Sequence, residues 1–429
     1  MPIAGHGPEA TDEGRTAVAV AAPPAADALS FAVTCDPSLL HRRNPAEVFL
    51  TDVRAIGDRM PPGEPGGTEQ CEDAGRYESA GRYEDFAAAA LLPSGHPHYG
   101  GLTGPAAHGP DPMLLLECCR QAETYAAHTF FGIEQGAGFI LRGLSVRTFP
   151  DATGGQVPAA AGSPAGAATA ASGTGTGAVP ADRLVMAFQV REPGPRRGAV
   201  SNLDYTFDLW AGPERIARIV LRVGYAAPRT YAALRARRRG GPPPTSRKAG
   251  PPAAGVPVEP SLAGRLRATD CVLLDLAAES ATEVTAALRV PVENPSYFDH
   301  PHDHVPGMVL VEAARQLATA ATGVWDAAPG RPARMTAVEA EFSQYAELDA
   351  PTALSAVPLD DPGTPSRPGR VEVVLRQGTT EVARMRVTTA AAARTNGTGG
   401  EPAAHTGVPL AASPSPAATG PAASCEAAR

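Results

Sequence analysis

A chain of 429 residues carrying a formal charge of −8 and only 5% aromatic residues has the length of two or three domains, but Ala-, Gly- and Pro-rich stretches leave less material for cores. Net acidity without a long basic run argues against a nucleic-acid groove. No apolar run approaches the roughly 18 residues of a membrane span. The first thirty residues lack a basic segment followed by an apolar one, so no secretion signal is read and a cytoplasmic location is expected, with no membrane and no nucleic-acid partner.

In chain order, residues 1–30 read as a disordered extension. A first module is expected over 31–235, with a low-complexity insertion at about 151–180. It contains HRRNPAEVFLTD (41–52), then LLPSGHPHYG (91–100) with His96, Pro97, His98 and Tyr99, then DPMLLLECCRQAETYAAH (111–128), which reads as a helix. Strand patterns follow at 138–149, 184–190 and 202–212, and again in ERIARIVLRVGYA. Arg235, Arg237, Arg238 and Arg239 lead into a Pro/Gly/Arg-rich segment, 236–262, which reads as a solvated linker. A second module is expected over 263–390, with an insertion at about 353–369, before a disordered tail at 391–429. Cys35, Cys71, Cys118, Cys119, Cys271 and Cys425 lack zinc-site spacing, and a chain of this size needs no disulfide staples.

The second module holds VPGMVLVEAARQLATAAT (305–322), and superposing Glu312 on Glu117 brings Arg315 onto Arg120 and Gln316 onto Gln121. Apolar LLL and VLV precede the two glutamates. Three matched polar positions inside matched apolar sequence indicate a duplicated unit. Upstream, YFDHPHDHVPG (297–307) places His300, Pro301 and His302 where the first module has His96, Pro97 and His98, so a His-Pro-His element is expected before each helix. MTAVEAEFSQYAEL, VEVVLRQG and TEVARMRVTT then supply strands. The order is strand, histidine loop, helix, then antiparallel strands. Each unit is thus an α+β module of five or six strands wrapped around a central helix.

The helix from Met308 to about Thr322 is apolar around most of its circumference and belongs in a core. Glu312 and Arg315 are then conspicuous, because an ionised group is rarely buried without a partner. Three residues apart, they can form a structural salt bridge. Beside histidines, a polar stripe of this kind also suits a catalytic cleft. His300 is the leading histidine, with a neutral imidazole able to take a proton and Glu312 to orient or assist it. Three histidines with Asp299 or Asp303 also raise a metal site, but Pro301 and Pro306 favour an irregular loop, and neither metal nor cofactor is expected.

These motifs resemble two things. VENPSYFDHPHDHVPGMVLVEAARQLA is similar to the histidine loop and helix of hotdog-fold dehydratases acting on acyl-carrier-protein substrates. The likeness is closer to the A-factor biosynthesis (AfsA-like) family of tandem hotdog proteins, whose first-module signature resembles residues 41–52, 91–100 and 111–123. The resemblance spans roughly 38–235 and 265–390. It implies a double hotdog acting as an acyltransferase in γ-butyrolactone signalling, of the kind streptomycetes use to control secondary metabolism. It implies transfer of a β-ketoacyl group from acyl carrier protein to a hydroxyl of dihydroxyacetone phosphate, by a monomeric double hotdog or a homodimer. A dehydratase or thioesterase acting on acyl thioesters, and a non-catalytic sensor of butyrolactones or acyl groups, are the alternatives.

For the transfer reaction, His300 is the expected base, oriented by Glu312, or Glu312 acts directly. Backbone N–H groups near Gly307 and Met308 are expected to hold the oxyanion. Arg315, with Arg120 as its counterpart, is the first candidate for phosphate, unless either pairs with Glu312 or Glu117 instead. Gln316 and Gln121 extend these polar faces toward the substrate. His96 and Glu117 form a second acid–base set. Replacing Glu312 by glutamine is then expected to abolish transfer in a protein that still folds.

Overall fold

The structure is a computed structural model that describes residues 28–56, 83–93, 95–102, 109–149, 182–193, 200–248, 254–325, 333–359 and 369–390. The insertion expected at 151–180 and the tail at 391–429 lie outside the described residues, as does most of the extension at 1–30. The first module has strands β1 (Leu50–Ile56) and β2 (Tyr83–Leu91), helix α1 (Pro112–Thr129), then β3 (Gly138–Thr148), β4 (Arg183–Arg191), β5 (Val200–Ala211) and β6 (Glu214–Ala226). Helix α2 (Pro228–Arg239) leads to the second module. There β7 (Leu273–Ser280), β8 (Glu283–Leu288), the single turn α3 (Pro295–Phe298) and helix α4 (Gly307–Trp325) precede β9 (Arg334–Phe342), β10 (Ala353–Pro358), β11 (Gly369–Gln377) and β12 (Thr380–Ala390).

Both modules use one strand order, β1-β2-β4-β5-β6-β3 and β7-β8-β10-β11-β12-β9, and they join edge to edge through β3 and β9. That antiparallel seam pairs Ser145 with Glu339 and Val146 with Val338, giving a single twelve-stranded sheet. The seam satisfies the backbone groups that a terminal strand would expose in each half. Corresponding hairpins, β5–β6 and β11–β12, turn at Gly212 (φ 61°) and Gly378 (φ 58°), where a side chain would strain the backbone.

The sheet wraps the helices because each strand alternates apolar-in with polar-out. In the first module Phe86, Phe188 and Phe207 stand opposite one another on β2, β4 and β5, with ring centroids 5.0 and 4.7 Å apart. Such cross-strand aromatic pairs fix register as well as burying area. Helix α4 buries Val309, Leu310, Val311 and Leu317 completely or nearly so, each worth roughly 1.5–3 kcal/mol over an exposed side chain. Cys118 and Cys119 are core residues of α1, and burial pushes both thiols well above their ordinary range.

Two expectations are corrected. The segment 353–369 begins with β10, whose Ala353–Ala356 pair with β8 and β11; small and β-branched residues are enough for an interior strand once both neighbours supply hydrogen bonds. The arginine run is no solvated linker either. Arg235 is 1% exposed, and its guanidinium donates to Asp303 (3.0 Å) and to both oxygens of Glu347 (2.8 and 2.9 Å). Arg239 adds a bond to Glu347 at 2.9 Å and a pair with Asp349. Tyr231, Arg235 and Arg239 recur every four residues, so one face of α2 clamps the second module.

Candidate active site

The duplicated polar stripes sit at the hearts of the modules. Glu117 is completely buried and accepts from Arg120 (Nε 2.7 Å), Arg42 (2.6 Å) and Gln121 (2.7 Å). Glu312, equally buried, accepts from Arg315 (Nε 2.8 Å), Arg265 (2.7 Å) and Gln316 (2.6 Å). Burial pushes the Glu117 carboxyl up, but Arg120 and Arg42 prevail and hold it at about 2. Glu312 is held well below the ordinary carboxylate range in the same way, Arg265 and Arg315 outweighing its burial. The glutamines finish each lock: Gln121 spans Phe49 N–H (2.9 Å) and the Glu47 carbonyl (2.8 Å), and Gln316 spans Val272 N–H (2.9 Å) and the Asp270 carbonyl (2.8 Å).

Arg42 and Arg265 also reach across the molecule. Arg42 donates to the Ser296 carbonyl at 3.3 Å, and Arg265 donates to the His98 carbonyl at 3.0 Å. This equivalence of Ser296 with His98 continues through their neighbours. His96 Nδ1 accepts from His98 N–H at 3.2 Å as Asn294 Oδ1 accepts from Ser296 N–H at 3.0 Å, and Tyr99 and Tyr297 follow, both buried. The counterpart of His96-Pro97-His98-Tyr99 is therefore Asn294-Pro295-Ser296-Tyr297. Among the described residues the His-Pro-His at 300–302 has no counterpart in the first module. The expected register fails because a shared tripeptide outweighed the hydrogen-bond pattern that defines the loop.

A cavity of about 480 Å³ opens between the modules. Its lining is of two kinds. His41, Arg120, His300, His302 and Asp303 are polar; Leu116, Leu141, Leu144, Leu221, Val223 and Leu310 are apolar. Gly307 and Met308, the first residues of α4, lie on its wall. A Cβ at Gly307 would stand 2.9 Å from Leu141 Cδ2, so glycine lets the start of α4 close onto β3.

A-factor biosynthesis hotdog domains match residues 25–163 and 247–393 of the chain. The chain belongs to this family. Among curated relatives in that setting, the 2-oxo-3-(phosphooxy)propyl 3-oxoalkanoate synthase of Streptomyces virginiae is 31% identical over 335 residues, covering 76% of this chain and 88% of its own. The synthases of the same name from Streptomyces griseus and Streptomyces coelicolor are 32% and 30% identical, each match covering 63% of this chain and 76% or 73% of the relative.

In this A-factor-type double hotdog the predicted residues separate into two groups. His300, Arg120, Gly307 and Met308 line the cavity. Glu312, Arg315, Gln316, Glu117 and Gln121 are held in the buried locks, and Arg315, only 3% exposed, spends Nε and a terminal nitrogen on Glu312. The expected Glu312–His300 pair is replaced by a local one: His300 Nδ1 meets Asp299 Oδ1 at 2.5 Å. Asp299 is fixed in turn by Arg43 N–H at 2.8 Å and faces Arg42. Burial pushes its carboxyl up, but His300 and Arg42 hold it at about 2. The expected pairing of His96 with Glu117 is likewise absent. His96 is buried, with Nε2 3.4 Å from Glu47, while His98 links Asp270 (3.1 Å) to the Tyr297 hydroxyl (2.8 Å).

His41 and His128 escaped the sequence reading as site residues. His41 Nε2 lies 2.9 Å from His128 Nε2, and His128 Nδ1 lies 2.7 Å from the Ile133 carbonyl. A carbonyl only accepts, so a neutral His128 is protonated at Nδ1 and presents Nε2 to His41 as an acceptor. Burial lowers His41 to about 4, with Arg120, His128 and His300 adding to the effect, and lowers His302 to about 3 beside His300 and His304. His304 Nδ1 meets Asp303 Oδ1 at 2.6 Å. Asp299 and Asp303 thus serve neighbouring imidazoles, and among the described residues no three His, Cys, Asp or Glu side chains group as metal ligands. No described helix is long and apolar enough to cross a membrane. His41 and Arg42 stand at the head of the 41–52 motif, which was the available signal.

Proposed function

We propose that the chain transfers a β-ketoacyl group from the thioester of acyl carrier protein to a hydroxyl of dihydroxyacetone phosphate. The observation that carries this reading is the single cavity lining that joins an Asp-oriented histidine and an arginine to long apolar walls at the junction of the modules. Apolar walls suit an acyl chain. A partly exposed arginine suits a phosphate, and Arg120 keeps a quarter of its side chain open while anchored on Glu117. Among the described residues no hydrogen bond engages His300 Nε2, since Asp299 takes the other nitrogen.

The chemistry follows from these positions. His300 Nε2 removes the acceptor's hydroxyl proton as its oxygen forms a bond to the thioester carbon. N–H groups at the start of α4, at Gly307 and Met308, receive the oxyanion. The C–S bond then breaks, and the departing sulfur takes the proton from His300. Holding both substrates in one cavity makes a covalent acyl-enzyme unnecessary. The acyl carrier protein stays outside and extends its pantetheine arm inward.

The test is mass spectrometry of the products formed from β-ketoacyl-acyl carrier protein and dihydroxyacetone phosphate. The phosphorylated β-keto ester is expected. Free acid or enoyl thioester, formed without use of the acceptor, would replace this reading by thioesterase or dehydratase chemistry. Replacing His300 by alanine is expected to lower turnover by about 10²–10⁴-fold. Wild-type turnover in that variant would remove His300 from the mechanism.

A further inference from the structure

Glu123 is only 2% exposed, yet it lines the cavity. It shares the face of α1 that carries Leu116, Arg120 and Thr124, all at the cavity wall. Three residues separate it from Arg120, about 4.5 Å of helix rise. Its surroundings are largely apolar: Leu221 and Val223 share the wall, and the Phe139 ring packs edge-on against Tyr225 with centroids 4.8 Å apart.

Helix packing does not require a carboxyl here. Glu123 follows Glu117 by six residues, and the residue six after Glu312 is Ala318, completely buried in α4. No salt bridge neutralises Glu123 among the described residues. Instead a chain of hydroxyls reaches it: Tyr225 donates to Oε1, and the Tyr205 hydroxyl lies 2.8 Å from that of Tyr225. The Thr124 hydroxyl stands 3.0 Å from Oε2 and 2.9 Å from the Arg120 carbonyl, and its one proton serves either acceptor. With Oε1 accepting the hydrogen bond of Tyr225, the carboxyl's own proton belongs on Oε2. Burial pushes the carboxyl up to about 7, against the hydrogen bonds of Tyr225 and Thr124, so the protonated form is well populated at neutral pH.

A buried acid with an O–H to offer beside an apolar channel matches one kind of ligand: a chain that is apolar except for an acceptor oxygen close to its reacting end. A 3-oxoacyl chain has that form, with the keto oxygen two carbons from the thioester carbon. We propose that Glu123 forms the subsite for the 3-oxo group, donating its Oε2 proton to the keto oxygen and so selecting β-ketoacyl chains over saturated ones. The proposal rests on the acyl-transfer reading above. A site built to hydrogen-bond a substrate group discriminates against the analogue that lacks it, because its own polar atom is left unpaired.

The experiment compares binding of two non-hydrolysable pantetheine amides of equal chain length, one 3-oxo and one saturated, to the full chain by calorimetry. The wild type is expected to favour the 3-oxo chain by about 10-fold. Glu123→Gln retains a donor and is expected to keep most of that preference, whereas Glu123→Leu is expected to bind both chains alike. Binding of both chains without preference by the wild type, or an undiminished preference in Glu123→Leu, overturns the subsite while leaving acyl transfer standing. Failure of the wild type to bind either chain overturns both. A second readout needs no variant: the infrared band of an isotope-labelled 3-oxo carbonyl is expected to shift to lower frequency on binding, and an unshifted band overturns the proposal.

Discussion

Each glutamate of the duplicated stripe is ringed by two arginines and a glutamine, which changes what its removal does. Glu312 shields the completely buried Arg265 and the nearly buried Arg315. Without the carboxylate Arg315 loses its buried partner and Arg265 keeps only Asp111, 3.7 Å away, a situation that costs about 3–5 kcal/mol. Glu312→Gln is therefore expected to lower stability by about that amount in chemical denaturation, ahead of any effect on chemistry. A variant of wild-type stability that has lost only turnover would restore Glu312 to the reaction. The glutamate, arginine and glutamine of the stripe were legible in the sequence, because they recur inside one helical turn. Their partners were not: Arg265 and Arg42 lie 47 and 75 residues from the glutamates they hold, and no local spacing announces such a contact. Asp299 was considered only as a metal ligand, although its neighbour is the histidine it orients.

At the scale of elements, α2 shows how a charge run can mislead. Its composition is that of a solvated helix, and Arg237 and Arg238 are indeed exposed. Arg235 instead lies over the Tyr345 ring, 4.2 Å from the centroid, and between Asp303 and Glu347. Tyr231 on the same face accompanies it, its hydroxyl 3.1 Å from Asp303, and its ring packs over Gly138, where a Cβ would collide with it. The clamp thereby fastens the loop that bears the cavity's histidines. Arg235→Ala is expected to cost roughly 3 kcal/mol and to raise amide exchange in residues 299–306 above that of α4. Unchanged exchange in that loop would confine α2 to a tethering role. The second strand set, β9, β11 and β12, was readable from period-two alternation. The short β10 was hidden because its Ala- and Pro-containing sequence resembles the insertion that follows it.

On the scale of the whole molecule, the duplication was visible in the sequence, as five or six strands and one helix in each half. How the halves meet was not, because edge pairing of β3 with β9 leaves no mark in either sequence beyond ordinary strand alternation. The contact is extensive. It combines the seam, the Arg42 and Arg265 bridges, and the approach of Ser296 Oγ to Glu47 Oε1 at 3.1 Å. Residues 254–390 produced alone would expose the β9 edge and leave Arg265 without the His98 carbonyl. That fragment is expected to self-associate or precipitate, as read by light scattering, and to form a defined complex when coproduced with residues 28–248. A stable monomeric fragment would show that each module folds independently of the seam.

The seam strand has a further meaning. Leu141 and Leu144 of β3 wall the cavity while β3 itself joins the halves, so the cavity belongs to neither half. Such a pocket descends naturally from a symmetric pair of identical chains with two equal chambers, later made covalent. Fusion ended the requirement that both chambers match. His-Pro-His could arise beside one helix, and a buried acid in the other, without either change being copied into its twin.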